Sequence, residues 1–238
     1  MEITDMDAYL SVDRGFLKIT VNKEKEYKVP LCDIGGVVAN SYRLTYSNNA
    51  IVKLAELNIP LVVCGSNHSP VGILWSVEPH SLTSGRIDSQ INATKPKYNN
   101  IWKQIVRTKI HNQGICLKAL GKKYIKVTSL ITGVLSGDKT NQEGHAARMY
   151  WQELFGKEFI RDRDGDGINA MLNYGYTILR SGISRAIMGA GLHPSIGIFH
   201  KNKFNAMRLA DDLMEPFRPI TDYFVYLLSH KGVSYLTT

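Results

Sequence analysis

Near residue 80 of this 238-residue chain the spacing of apolar side chains changes from alternation to a helical repeat. A strand period and a helix period cannot share one element, so the two stretches must build different layers. Tyr9-Leu-Ser-Val-Asp13, Phe16-Leu-Lys-Ile-Thr-Val21 and Glu26-Tyr-Lys-Val-Pro-Leu31 are β-rich runs separated by Asp13-Arg-Gly and Asn22-Lys-Glu-Lys-Glu turns. Ile34 to Val38, Ile59 to Cys64 and Val71 to Trp75 add strands, and Ser47 starts a helix with Ala50, Ile51, Leu54, Ala55 and Leu57 along one side. From Ser81 onward, Ile87, Ile91, Ile101, Ile105, Ile110, Cys116 and Leu120 approximate one helical stripe. The expected fold is α+β: a small β-rich domain with one helix over 1–75, a short hinge at 76–85, and a mainly helical domain over 86–238.

Forty-four per cent hydrophobic residues suffice for a core, while apolar runs such as Ile59 to Cys64 fall far short of the ~18 residues that cross a bilayer. The acidic amino terminus lacks the basic and apolar regions of a secretory signal, which predicts a cytoplasmic protein with no membrane partner. Cys32, Cys64 and Cys116 lack paired spacing and read as buried free thiols. Charge is more informative. Residues 1–75 carry seven Lys/Arg against eight Asp/Glu, so all of the net +8 comes from the helical half. Arg86 to Lys126 alone holds ten basic residues and one acid, a field suited either to a polyanion or to a solvated, lysine-rich helix face.

Three segments of that basic half carry candidate chemistry. In Thr140-Asn-Gln-Glu143-Gly-His-Ala-Ala-Arg-Met-Tyr-Trp, a helix would put Glu143 on the face of Ala147, Tyr150 and Leu154, where a carboxylate needs a cation or several donors. Thr140-x-x-Glu143 also matches a capping box, in which Glu only satisfies a backbone N–H. His200 ends the run Pro194-Ser-Ile-Gly-Ile-Phe and is followed by Lys201 and Lys203, consistent with a ligand or with a structural imidazole. Asp211, Asp212 and Glu215 crowd like charges one turn apart just before Pro216, as on a solvated acidic face. Taken together, two carboxylates and one imidazole beside a basic surface suit Mg²⁺ or Mn²⁺ and phosphodiester chemistry. Asp162-x-Asp164-x-Asp166-Gly167 imitates half of a calcium loop, but Asn169 and Asn173 occupy its last key positions, so the segment reads instead as a mobile turn before a helix.

Glu143-Gly-His-Ala-Ala-Arg-Met-Tyr-Trp, Ile168-Asn-Ala-Met-Leu-Asn-Tyr-Gly-Tyr, Gly197-Ile-Phe-His200 and Asp212-Leu-Met-Glu215-Pro-Phe-Arg-Pro, in that order, resemble the CRISPR adaptation integrase, most closely its type II branch. The resemblance implies a metal-dependent DNA endonuclease and integrase that inserts short DNA fragments into a repeat array by 3′-OH attack on a phosphodiester. It implies Glu143, His200 and Glu215 as catalytic metal ligands for Mg²⁺ or Mn²⁺, with Asp212 as a supporting acid. It further implies a homodimer formed through the β-rich domain, a dimer of the small second adaptation protein as partner, other type II locus proteins, and double-stranded DNA, both incoming fragment and repeat array. Lys122, Lys123, Arg148, Arg185 and Arg218 are the candidate DNA contacts, with Arg180, Arg185, Lys201 and Lys203 as an alternative track. A non-catalytic DNA-binding scaffold and a branched-DNA repair nuclease are the competing readings. Family members usually continue with further helix where this chain reaches Thr238.

Overall fold

A computed structural model describes residues 1–65, 70–74, 76 and 83–230. Two compact units result, one of 1–88 with 185–193 and the other of 89–184 with 194–238. The expected hinge at 76–85 lies mostly outside the described residues.

The first unit builds two four-stranded sheets. Strands β1 (Glu2–Ile3), β5 (Val37–Ala39), β7 (Leu61–Cys64) and β8 (Pro70–Leu74) form one, in that order, parallel except for the antiparallel β7–β8 pair. Strands β4 (Lys25–Pro30), β3 (Phe16–Val21), β2 (Ala8–Asp13) and β6 (Thr45–Tyr46) form the other. Alternation on β3 is complete: Leu17, Ile19 and Val21 are buried while Phe16, Lys18 and Thr20 are not. The β2–β3 hairpin turns on Arg14 and Gly15, both at positive φ, which matches the twist of the strands. Edge strand β4 carries Lys25, Glu26 and Lys28 and buries none of its residues, a charged edge that discourages further pairing. Helix α1 (Asn48–Glu56) is capped by Ser47, whose Oγ accepts from Ala50 N at 3.1 Å, and it buries Ala50 and Leu54, the latter in a core with Leu10, Leu17, Val37 and Leu61. The predicted strands and helix are present with shifted bounds: the strand expected at Ile34 to Val38 runs Val37–Ala39, Leu57 lies beyond the helix end and is exposed, and Trp75 lies outside the described residues. The two-residue strands β1 and β6 were invisible to periodicity because two residues contain no period.

Helices α2 (Thr83–Ile91) and α3 (Lys95–Ala119) are separate, so the expected continuous stripe breaks: Ile91 is exposed, and Pro96 sits in the first turn of a new helix. In the second unit α3 is the central element, burying Trp102, Ile105, Val106, Ile110, Gln113, Cys116 and Leu117. Around it lie α4 (Ile125–Ser129), α5 (Gln142–Phe155), α7 (Arg208–Met214), a 3₁₀ turn Glu215–Phe217, and α8 (Arg218–His230). Helix α6 (Ile168–Gly189) contributes Met171, Leu172 and Tyr176 to a core shared with Met214 and Val225. Pro216 marks the helix boundary as its missing N–H requires. Of the three free cysteines only Cys116 is buried; Cys64 is intermediate and Cys32 is exposed, so the buried-thiol expectation holds for Cys116 alone.

The asparagines that spoil the calcium-loop pattern tie the turn down. Asn169 Nδ2 donates to Ile160 O at 3.0 Å and Asn173 Nδ2 to Arg163 O at 2.7 Å, while their oxygens accept from the Arg161 guanidinium. The turn is thus fastened to α6, unlike the free segment expected from its composition.

Gly114 lets α3 and α4 approach: a Cβ there would stand 2.2 Å from Thr128 Cγ2. Gly114→Ala should lower stability by roughly 2 kcal/mol through overpacking. Thr128→Ser, which removes that methyl and keeps the hydroxyl, should recover most of the loss. Chemical denaturation of the single and double variants checks both.

Candidate active site

Helix α5 begins differently from a capping box. Asn141, in the left-handed region at φ 51°, is the N-cap and accepts from Gly144 N, and the Asp138 carboxylate accepts from Gln142 N and Glu143 N, each at 3.0 Å. Thr140 Oγ1 donates instead to Gly133 O. With the helix start satisfied by Asn141 and Asp138, the Glu143 side chain is released from capping and reaches Lys109.

The segment Gly197 to His200 is organised around one fully buried carboxylate. Asp212 accepts from the backbone N–H of Ile198 at 2.5 Å, Phe199 at 3.0 Å and His200 at 3.2 Å, and His200 Nδ1 lies 2.6 Å from Asp212 Oδ1. The bond to Asp212 raises the His200 pKa, and burial opposes it. A Cβ on Gly197 would meet His200 O at 2.7 Å and Arg208 Cβ at 2.8 Å, so only glycine allows this approach. The Phe199 ring stacks on Trp102 of α3 at 4.3 Å between centroids, fixing the loop from the other side.

Glu215 is also buried. Its Oε2 is 2.5 Å from Lys109 Nζ and its Oε1 is 2.9 Å from Arg218 Nε, while Lys109 Nζ also sits 2.6 Å from Glu143 Oε1. One ammonium therefore bridges glutamates that are 72 positions apart. Burial would lower the pKa of Lys109, but Glu215 and Glu143 outweigh it and the net direction is upward. Asp211 pairs separately with Arg180 through two oxygens, at 2.6 and 3.1 Å. No solvated acidic face exists here: Asp212 and Glu215 are buried, and each acid has its own donors.

Glu143, His200 and Glu215 all line one open cleft of about 310 Å³, together with Trp102, Lys109, Gln113, Arg161, Arg163 and Arg218. They share the cleft without forming a preassembled coordination shell. Among the described residues no three His, Cys, Asp or Glu side chains are grouped tightly enough to hold an ion. The ammonium of Lys109 occupies the space between the two glutamates.

The CRISPR associated protein Cas1 family model matches residues 1–234 of the chain. The chain is 33% identical to the CRISPR-associated endonuclease Cas1 of Neisseria meningitidis, over 94% of this chain and 73% of that one. The chain belongs to the Cas1 family. Its fold is similar to that of a casposase bound to integration product, with a TM-score of 0.79, 24% identity and coverage of 99% of this chain and 74% of that one. It is also similar to part of a Cas6-RT-Cas1–Cas2 complex, with a TM-score of 0.74, 23% identity and coverage of 97% of this chain and 28% of that one.

Against this Cas1 frame the basic residues fall into two groups. Arg148 and Lys123 are exposed, and Lys122 Nζ lies 5.0 Å over the Tyr226 ring. Arg218 instead points inward, pairing with Glu215 and covering the Tyr176 ring at 4.5 Å. The Arg185 side chain lies outside what the structure describes. Lys109, one of the ten cations of the basic block, faces the acids, and Arg161 and Arg163 of the turn join the cleft. A sequence signal for Lys109 and Gln113 existed: they fall on the α3 stripe with Trp102, Val106 and Leu117, where polar residues are out of place.

Asp222 of α8 also lines the cleft; it is fully buried and accepts from Tyr176 at 2.5 Å and Tyr150 at 2.9 Å. Burial pushes its pKa up to about 7 despite these donors. An ordinary unfolded Asp titrates near 3.9, so between about pH 4 and pH 7 the folded chain holds a proton that the unfolded chain has lost. Stability contributed here therefore falls as pH rises, by on the order of 1.4 kcal/mol per unit inside that window. Asp222→Asn removes the dependence. The difference in melting temperature, variant minus parent, should grow by roughly 5 °C or more from pH 5 to pH 8, as scanning calorimetry would show.

Proposed function

We propose that this Cas1 chain inserts short DNA fragments into a CRISPR repeat array using Mg²⁺ or Mn²⁺ held by Glu143, His200 and Glu215. The observation that carries the proposal is the convergence of these three side chains on one cleft lined also by Lys109, Arg161, Arg163 and Arg218. The residues fit a hard divalent ion. Two carboxylates from α5 and the 3₁₀ turn already flank a single cation, Lys109, and a buried carboxylate holds His200 Nδ1, the arrangement that orients a ligating imidazole and leaves Nε2 to bind. When bound, such an ion would polarise a phosphoryl oxygen and favour deprotonation of an attacking hydroxyl.

The chain's own side chains account for the remaining requirements. Asp212 fixes both the Ile198–His200 backbone and the His200 imidazole, so His200 enters the cleft in one orientation. Arg161 and Arg163 supply positive charge for phosphates at the mouth, and Trp102 with Phe199 forms an apolar wall. In the reaction the 3′-OH oxygen of the fragment bonds to phosphorus of the repeat, the old bond to the leaving 3′ oxygen breaks, and that oxygen takes up a proton. The number of phosphodiesters is unchanged. With water in place of the hydroxyl, the same site would hydrolyse a strand, in keeping with the endonuclease name of the Neisseria relative.

Homodimerisation through the β-rich unit, assembly with a dimer of the small second adaptation protein, contacts with other type II locus proteins and a cytoplasmic location belong to the same proposal. The similarity to part of a Cas1–Cas2 complex supports the partner, and the casposase's integration product supports DNA. No helix among the described residues is long and apolar enough to cross a membrane.

Glu143→Ala, His200→Ala and Glu215→Ala should each reduce strand transfer by at least about 100-fold in Mg²⁺ or Mn²⁺, while DNA affinity stays within a few-fold because phosphate contacts rest on the surrounding Lys and Arg. An integration assay on a repeat-containing plasmid, run beside a DNA-binding titration, checks this. Near-parental integration by any one variant would remove that residue from the ligand set.

A further inference from the structure

Lys109 sits on the buried stripe of α3, its side chain only 12% exposed, with Nζ within 2.6 Å of carboxylate oxygens from both Glu143 and Glu215. Each of those glutamates is a proposed metal ligand. An ammonium and a divalent ion cannot occupy the same space between two carboxylates, because their charges repel at contact distance in a site partly shielded from water. Arg218 already neutralises part of Glu215 from the other side, so the two acids are electrically balanced by Lys109 and Arg218 before any metal arrives. Adding an ion requires that one of these cations give way. Lys109 is the one that touches both acids.

A place exists for it to go. Gln113, one helical turn further along α3, is 3% exposed, lines the same cleft, and its Oε1 has no hydrogen-bond partner among the described residues. A buried, unsatisfied amide oxygen is costly, and i, i+4 neighbours on a helix lie within side-chain reach. Gln113 therefore offers an acceptor to an ammonium that has left the carboxylates.

We propose that Lys109 is the resident cation of the metal-free site and is exchanged for the divalent ion, swinging from Glu143 and Glu215 to Gln113 when the ion binds. This rests on the ligand set proposed above. Lys109 thereby acts as a positioning residue: it keeps two like charges together in the folded, metal-free protein and sets the affinity with which an ion can replace it.

The test is calorimetric titration of metal-stripped protein with MnCl₂, combined with melting curves in EDTA and in excess Mn²⁺. Lys109→Met keeps the length of the stem and removes the charge. It should bind Mn²⁺ at least ten-fold more tightly than the parent, melt several degrees lower in EDTA, and gain more from Mn²⁺. Gln113→Leu keeps Lys109 and removes its second acceptor, so it should bind Mn²⁺ several-fold more weakly with no loss of stability in EDTA. Gln113→Leu decides the matter if Lys109→Met does not fold. Parental or weaker Mn²⁺ affinity in a folded Lys109→Met, or parental affinity in Gln113→Leu, overturns the exchange while leaving the metal site standing. Absence of Mn²⁺ binding in the parent and both variants would overturn the metal site itself, and the exchange with it.

Discussion

Burying a carboxylate is among the more expensive things a fold can do, and the second unit does it repeatedly in one region. Glu143 is partly buried, while Asp212, Glu215 and Asp222 are almost or wholly removed from water. Each is balanced differently. Glu143 and Glu215 share Lys109, Glu215 adds Arg218, Asp212 takes three backbone N–H groups and an imidazole, and Asp222 takes two phenols. Much of the local architecture follows from these needs. Gly197 is required because the backbone must fold back onto Asp212, and Asp138 is required at the start of α5 because Glu143 is engaged elsewhere.

The different solutions give different properties. A carboxylate held by backbone amides is fixed, and Asp212 accordingly serves as an anchor for the segment that carries His200. A carboxylate held by a flexible ammonium can be released without unfolding anything, since Lys109 can move while α3 stays in place. That contrast separates the acid that orients a ligand from the acids that would themselves be ligands. It also explains why the cleft contains three donors and yet no closed coordination shell.

The strand-to-helix change and the elements of the first unit were legible because alternation on β3 and the apolar side of α1 are local patterns. The proposed ligand residues were legible only as a set, through the resemblance to a family; singly, Glu143 fitted a cap, His200 a structural histidine and Glu215 a solvated face. The structure departs from two of those local readings, the Glu143 cap and the solvated face, since Glu215 is buried. The cap at α5 comes from Asn141 and Asp138, whose left-handed and turn geometries leave no hydrophobic signature. Lys109 was counted with the surface cations because its partners lie 34 and 106 positions away, beyond any window of sequence. Arg161 was hidden in a turn that resembled a defective calcium loop, whereas its asparagine neighbours were holding it toward the cleft.

The proposed site for a divalent ion is the space between Glu143 and Glu215 that the Lys109 ammonium fills, with His200 as a third donor. Crystals of the intact chain soaked in MnCl₂, with diffraction recorded at the manganese absorption edge, address it directly. An anomalous peak is expected within about 2.0–2.4 Å of a carboxylate oxygen of each glutamate and of His200 Nε2, with Lys109 Nζ withdrawn from both acids. A fully occupied peak elsewhere, or Lys109 still bridging Glu143 and Glu215 with manganese bound to the protein, would contradict it.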